Sequence, residues 1–145
     1  MEHHKAPGTS EDPDFSVTSQ KFFPWFFTFF FRYVTVRQIV TMAVLFNVLL
    51  YILNIPLMNL LFFWILPAFL STFQLFYFGT FLPHRYPHTE DMQPYNSRTQ
   101  KKNHIGAMAS CYFFGYHYEH HESPRTPWWK LHEKKNEQGT QTPKS

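Results

Sequence analysis

The 145-residue chain is long enough for one domain, yet only 16% of its residues are charged, against about 25% in a typical soluble protein. Its formal net charge is +3 and its basic residues are scattered, which excludes the clustered basic surface that binding to nucleic acid requires. The single cysteine, Cys111, excludes an intramolecular disulfide.

The chain begins with a polar segment that is followed by an aromatic one. In residues 1–20, Pro7 and Pro13 interrupt any regular helix, so this segment is predicted to be irregular. Residues 21–36 contain nine aromatic side chains with basic residues among them. Aromatic rings near cations suit the interface of a lipid bilayer. The alternative is an amphipathic helix that packs against membrane spans.

Two membrane spans are predicted in the middle of the chain, where residues 38–84 contain no Asp, Glu, Lys or Arg. The first covers residues 36–53, whose helical length of about 27 Å nearly matches a hydrocarbon core of about 30 Å. Residues 54–56 break the helix before a proline. The second span covers residues 57–82, and Pro67 inside it is expected to kink the helix.

Basic residues flank the predicted spans on their outer sides, whereas the short turn between the spans has no Lys or Arg. The flanking residues are Lys21, Arg32, Arg37, Arg85, Arg98, Lys101 and Lys102. Because Lys and Arg are enriched in cytoplasmic loops, both termini of this integral membrane protein are expected in the cytoplasm. The alternative is a hairpin buried inside a soluble protein.

The polar segments after the second span are predicted as follows. Residues 83–106 form a loop, residues 105–121 form a short helix, and Trp128 with Trp129 form a further aromatic anchor at the membrane interface. Residues 132–145 are rich in Lys, Gln and Glu and are predicted to be a disordered tail. The folded domain is therefore expected to cover residues 1–131.

A histidine triplet after the second span is the most informative motif. His117, His120 and His121 occupy positions i, i+3 and i+4, which share one face of a helix. Three imidazoles on one face can bind one metal ion or two neighbouring ions, and nitrogen ligands favour iron, zinc or copper over magnesium or calcium. The alternative is three histidines that face solvent.

Two further groups of histidines are expected on the same side of the membrane. His3 and His4 precede the first span, and His84 lies where the second span leaves the bilayer. A hairpin returns the chain to the face from which it started, so these groups can meet the triplet. The predicted fold class is therefore an all-α membrane protein, a transmembrane helical hairpin with a cytoplasmic histidine-rich metal-binding cap.

Several separate motifs resemble the β-carotene ketolases of the membrane fatty acid desaturase superfamily, in both order and approximate spacing. The resemblance covers residues 2–131. The motifs are His3–Thr9, Asp12–Phe15, Phe78–Arg85, Asn96–Arg98, Cys111–His121 and Pro127–Leu131.

This resemblance implies a di-iron centre at the cytoplasmic membrane face that uses O₂ to oxidise unactivated C–H groups. The implied reaction is ketone formation at the C4 methylene of a β-ionone ring, by repeated hydroxylation and loss of water. Electrons would come from an external protein such as a ferredoxin, and the carotenoid substrate from the membrane lipid. The alternatives are a fatty acid desaturase or hydroxylase acting on an acyl substrate, and an inactive membrane remnant.

By the same resemblance, the chain supplies metal ligands and no other catalytic residues. The implied ligands are His3, His4, His117, His120 and His121, with His84 as a weaker candidate. The family's first histidine box is absent, and His3 with His4 match only the end of the second box, so the chain is expected to be N-terminally truncated. Tyr95 and Phe113 stand where the family often carries His, which leaves the ligand set short.

Other polar residues near these motifs are not predicted to bind the metal directly. Asn96, Asp14 and Glu119 are expected to orient imidazole rings as hydrogen-bond acceptors, the alternative for each being a solvated surface residue. His88, His104 and His132 are interpreted as ordinary polar residues.

Overall fold

The computed structural model describes residues 3–101 and 103–141, and all regular elements in these ranges are helical. The helical part of the predicted fold class is therefore confirmed. The main helices are α1 (Phe22–Tyr33), α2 (Val36–Ile52), α3 (Leu57–His84), α4 (His104–Ala109), α5 (His117–Glu122) and α6 (Leu131–Gln141). Short 3₁₀ turns lie at His3–Lys5, Glu90–Met92 and Trp128–Lys130.

Helices α1 and α2 meet at a bend of 83°. The Thr35 hydroxyl accepts a hydrogen bond from the Gln38 backbone N–H, and the Gln38 side chain accepts one from the Thr35 backbone N–H. This capping box satisfies backbone donors at the start of α2 and so fixes where α2 begins. Helix α2 ends in a widened π turn at Val48–Ile52, close to the predicted end of the first span.

Helix α3 runs for 28 residues, or about 42 Å, and agrees closely with the predicted second span. Pro67 lies inside it, two residues after the end of a π turn at Leu61–Ile65. The proline ring would collide with the carbonyl four residues earlier in a regular α-helix, and that carbonyl belongs to this widened turn. A second π turn lies at Tyr77–Phe81, just before the helix ends at His84.

Within the described residues, α3 is the one helix that is long and apolar enough to cross a membrane by itself. The bent pair α1 and α2 also qualifies if it is counted as one broken span. Only 11% of the most apolar window of α3 is buried, and Phe63 is 81% exposed. Apolar surface of this extent needs a cover of lipid or protein, as expected of a membrane protein.

Helix α1 packs one of its faces against the second half of α3. Trp25 and Phe76 are almost fully buried, and the rings of Phe26 and Phe73 stack with their centroids 4.3 Å apart. The opposite face of α1 is open, since Phe31 is 71% exposed. The packed face agrees with the interpretation of this segment as an amphipathic helix, and the interpretation that it lies at the membrane interface stays a prediction. Burial of each such ring stabilises the fold by roughly 1.5–3 kcal/mol.

A smaller apolar cluster holds the carboxyl-terminal part together. It consists of Ala107, Phe113, Tyr116 and Leu131. The single helix predicted at residues 105–121 is in fact two, because three consecutive residues, Cys111–Phe113, adopt positive φ angles and reverse the chain between α4 and α5.

The prediction of a disordered tail from residue 132 is wrong for its first ten residues, which are helical in α6. Leu131 at the start of α6 is only 2% exposed and anchors the helix to the apolar cluster. Lys and Glu are good helix formers, and Lys134 pairs with Glu137 at 2.9 Å. Residues 142–145 of the predicted tail lie outside the described residues.

Candidate metal centre

Three imidazole nitrogens converge where α3 ends beside α5. The Nε2 atom of His84 lies 2.8 Å from that of His117 and 3.3 Å from that of His121, and the latter two are 3.1 Å apart. His117 and His121 reach the same point because residues four apart share one face of a helix. All three side chains are buried.

The geometry of this nitrogen triangle fits a shared metal ion. Nitrogens that each lie about 2.1 Å from one tetrahedral or octahedral ion would be roughly 3.0–3.4 Å from one another. The triangle cannot be fully satisfied by hydrogen bonds among its members, because each imidazole nitrogen donates or accepts only one and three atoms do not pair evenly. A metal ion would use all three lone pairs at once.

His3 adds a fourth nitrogen to the triangle. It lies on the 3₁₀ turn at His3–Lys5, and one nitrogen from each of His3, His84, His117 and His121 lies within 4.8 Å of the others. The ring centroid of His3 is 5.0 Å from that of His84 and 4.8 Å from that of His121. Ligands from three distant parts of the chain therefore surround one point.

Hydrogen bonds at the outer nitrogens set the tautomers of two of these rings. His3 Nδ1 lies 2.8 Å from the Asp12 carboxylate, and His84 Nδ1 lies 3.0 Å from the Asn96 carbonyl oxygen. Both partners are acceptors, so each Nδ1 carries the proton and the Nε2 lone pair of each ring is free. A free lone pair on the inner nitrogen is what a metal ligand requires.

Burial keeps the remaining imidazoles neutral. Loss of hydration, with repulsion from neighbouring histidines, lowers the pKa of His117 and His121 far below the ordinary value. The same two causes lower the pKa of His120 to about 4 and also lower that of His4. Histidine binds metal in its neutral form, so the cluster is ready for a cation near neutral pH.

His4 and His120 form a second pair next to the triangle. Their ring centroids are 4.8 Å apart, and the ring centroid of His4 is 4.7 Å from that of His121. His4 Nδ1 is buried and has no hydrogen-bond partner in the described part of the chain. The structure thus brings all six predicted ligands together, and His84, the weaker candidate, stands in the innermost triangle.

Of the residues predicted to orient imidazoles, Asp14 and Glu119 have other hydrogen-bond partners, whereas Asn96 does lie against an imidazole. Asp14 lies 3.7 Å from His3 Nδ1, and its carboxylate accepts a hydrogen bond from the Tyr33 hydroxyl. Glu119 is buried and accepts a hydrogen bond from the Thr99 hydroxyl, while burial raises the pKa of its carboxyl group. Asn96 orients His84 through its backbone carbonyl.

Asp12 is the residue near the site that the sequence analysis missed. Its side chain is almost fully buried and contacts His3 directly. Burial alone would raise the pKa of Asp12, but hydrogen bonds from His3 and from the backbone of Gly8 and Asp14 lower it below its ordinary value. The sequence offered one signal, a pair of carboxylates close to His3, without showing which of the two would be buried.

A cluster of buried imidazoles at the end of an exposed apolar helix could hold a metal ion. Comparison with known protein families identifies the family to which the chain belongs. The model of the fatty acid desaturase family matches residues 34–144, so the chain belongs to the fatty acid desaturase family. No solved structure matches the chain significantly.

Within this family, the curated proteins that the chain resembles are ketolases. The chain is 39% identical over 133 residues to zeaxanthin 4-ketolase of Chlamydomonas reinhardtii, covering 90% of this chain and 30% of the relative. It is 36% identical over 137 residues to a β-carotene ketolase of Haematococcus lacustris, covering 90% of this chain and 42% of the relative.

A bacterial relative gives a similar result. The β-carotene ketolase of Paracoccus sp. (strain N81106 / MBIC 01143) is 37% identical over 132 residues, which cover 90% of this chain and 53% of that protein. The chain therefore spans between about a third and about half of the length of these relatives. The predicted resemblance to the ketolases is confirmed.

Proposed function

We propose that this chain forms part of a membrane-bound, O₂-dependent oxygenase that converts a ring methylene of a carotenoid into a ketone. The observation that carries this proposal is the nitrogen cluster of His3, His84, His117 and His121 at the end of α3. Nitrogen ligands without thiolates suit iron, and zinc is disfavoured for this reaction because it has no redox chemistry. When bound, a pair of iron ions would supply the activation of O₂ toward a C–H group.

The residues of the chain itself hold and shape the site. His84, His117 and His121 would bind one ion, with His3 completing the set, and His4 with His120 would contribute to a neighbouring position. The hydrogen bonds to the Nδ1 atoms of His3 and His84 keep the inner nitrogens free of protons. Two of the three innermost histidines lie on helix α5, whose backbone fixes their spacing, and the third ends α3.

The position of the site suits a substrate that is dissolved in lipid. α3 exposes apolar side chains along most of its length and ends at the metal ligand His84, so a long apolar molecule beside it would have one end near the cluster. Each hydroxylation of the ring methylene consumes O₂ and two electrons, and loss of water after the second leaves the ketone. The electrons would come from a separate iron–sulfur protein such as a ferredoxin.

The experiment is expression in bacterial cells that accumulate β-carotene, both as residues 1–145 and within any longer reading frame that the gene encodes. We expect keto-carotenoids, identified by mass, and iron in the purified protein from the longer reading frame, and weak iron binding without keto-carotenoids from residues 1–145, whose ligand set is short. His117→Ala should abolish both, whereas His132→Ala, outside the cluster, should leave both unchanged. Unchanged carotenoids together with altered fatty acid unsaturation would overturn the assignment in favour of an acyl substrate.

A further inference from the structure

We propose that Asp12 is a positioning residue, which holds His3 in the tautomer and orientation that the metal centre needs. This inference rests on the proposed function, because it assigns His3 to the metal. Asp12 lies in the turn that follows His3 and His4, and its carboxylate oxygen Oδ1 is 2.8 Å from His3 Nδ1. Only 1% of the Asp12 side chain is exposed, compared with 15% of the His3 side chain.

The Asp12 carboxylate is itself held in place by the backbone. Its Oδ2 accepts a hydrogen bond of 2.7 Å from the Gly8 N–H, and its Oδ1 accepts one of 2.8 Å from the Asp14 N–H. With both oxygens engaged, the carboxylate cannot rotate without breaking at least one of these bonds. The His3 ring is therefore held by a carboxylate that the backbone already keeps in one orientation.

Asp14 does not fill this role, although it is two residues away and also acidic. Its nearest carboxylate oxygen is 3.7 Å from His3 Nδ1, beyond hydrogen-bond range. Its carboxylate accepts a hydrogen bond from the Tyr33 hydroxyl instead, and its carbonyl oxygen accepts one from the Trp25 indole. Asp14 thus ties the loop to α1, while Asp12 faces the metal centre.

The contact between Asp12 and His3 predicts which ring nitrogen of His3 carries the proton. A carboxylate only accepts hydrogen bonds, so it requires the proton of His3 on Nδ1 and leaves Nε2 free. Asp12→Ala removes the carboxylate, so no acceptor remains within hydrogen-bond distance of His3 Nδ1. Nothing then holds the proton on Nδ1, and the tautomer with the proton on Nε2 becomes populated, which blocks the nitrogen left for the metal.

The test is Asp12→Ala in the purified full chain, with Glu11→Ala as the matched control, because Glu11 is an exposed neighbouring carboxylate. Nitrogen NMR of ¹⁵N-histidine-labelled, metal-free protein reports the tautomer, with His3→Ala identifying the His3 signal. We expect the proton on Nδ1 in the wild type and in Glu11→Ala, and a population with the proton on Nε2 in Asp12→Ala. Titration with Co²⁺ should show a 10–100-fold loss of affinity in Asp12→Ala alone.

A second comparison separates positioning from a purely structural role. If Asp12 acts through His3, adding Asp12→Ala to His3→Ala should cause little further loss of Co²⁺ affinity, whereas independent effects would add. Should Asp12→Ala fail to fold, Asp12→Glu keeps the acceptor, and the proton should stay on Nδ1. A wild-type tautomer in Asp12→Ala, or a proton on Nε2 in Asp12→Glu, would overturn the inference. A wild type that binds no Co²⁺ in any form would instead overturn the proposed function.

Discussion

His84 Nε2 lies 2.8 Å from His117 Nε2, although the two residues are 33 positions apart in the chain. His84 ends the apolar helix α3, and His117 begins the short helix α5. Their contact joins the membrane-type part of the molecule to the polar segment that carries the histidine triplet. The residue that the sequence ranked as the weaker ligand is thereby placed at the centre of the site.

The first prediction is that His84→Ala weakens metal binding as strongly as His117→Ala does. Each substitution removes one of three converging nitrogens, so the remaining two would hold the ion in an incomplete set. Metal content of the purified protein, measured after dialysis, checks this prediction, with His132→Ala as the control. Retention of wild-type metal content by His84→Ala would show that His84 is only a buried neighbour of the site.

The second prediction concerns Gly8, which brings the His3 segment against Asn96. Gly8 has a φ of +66°, and a Cβ atom added to it would lie 2.8 Å from Asn96 Cβ. Asn96 is also tied to this segment, since its side-chain amide donates to the Pro7 carbonyl oxygen at 3.1 Å. Gly8→Ala must therefore strain the backbone and push the two loops apart.

We expect Gly8→Ala to destabilise the fold by about 1–3 kcal/mol and to lower metal affinity, because His3 and Asp12 lie in the displaced loop. Thermal unfolding in detergent and metal titration measure the two effects. A matched control is Gly139→Ala at the far end of α6, where alanine favours a helix. Equal behaviour of the two variants would contradict the prediction.

The sequence predicted the helices of the apolar region well because hydrophobic composition and proline position determine them locally. The observed bounds of α2 and α3 differ from the predicted spans by only a few residues. The histidines of the cluster were predicted by their spacing and by family resemblance. The central position of His84 among these histidines was not predicted, because it depends on packing between residues far apart in the chain.

The reversal at Cys111–Phe113 shows a different limit. None of these three residues is a glycine, so nothing in the sequence signals three successive positive φ angles. The backbone N–H groups of Tyr112 and Phe113 donate to the carbonyl oxygens of Met108 and Ala107, which stabilises the turn. Such a turn is compensated by tertiary packing of Phe113, which local propensity cannot reveal.

The third prediction concerns the aromatic core between α1 and α3. Phe76 is fully buried among the rings of α1, whereas Phe63 on the same helix is 81% exposed. Phe76→Ala should destabilise the fold by about 3–5 kcal/mol through loss of burial and the cavity left behind. Phe63→Ala should change the unfolding midpoint little, because its ring makes few contacts within the chain. Similar losses in both variants would contradict this assignment of the core.

The last prediction tests the arrangement of the helices in the membrane. We propose that α2 and α3 form a hairpin whose turn faces away from the cytoplasm, because the turn lacks basic residues and the outer flanks carry them. In a Cys111→Ser background, Leu53→Cys places a thiol in the exposed turn and Glu133→Cys places one on the exposed surface of α6. A membrane-impermeant thiol reagent added to intact cells should label Leu53→Cys. The same reagent should label Glu133→Cys only after the cells are opened. Equal labelling of both positions in intact cells would show that the two sites share one side of the membrane, and the hairpin would be wrong.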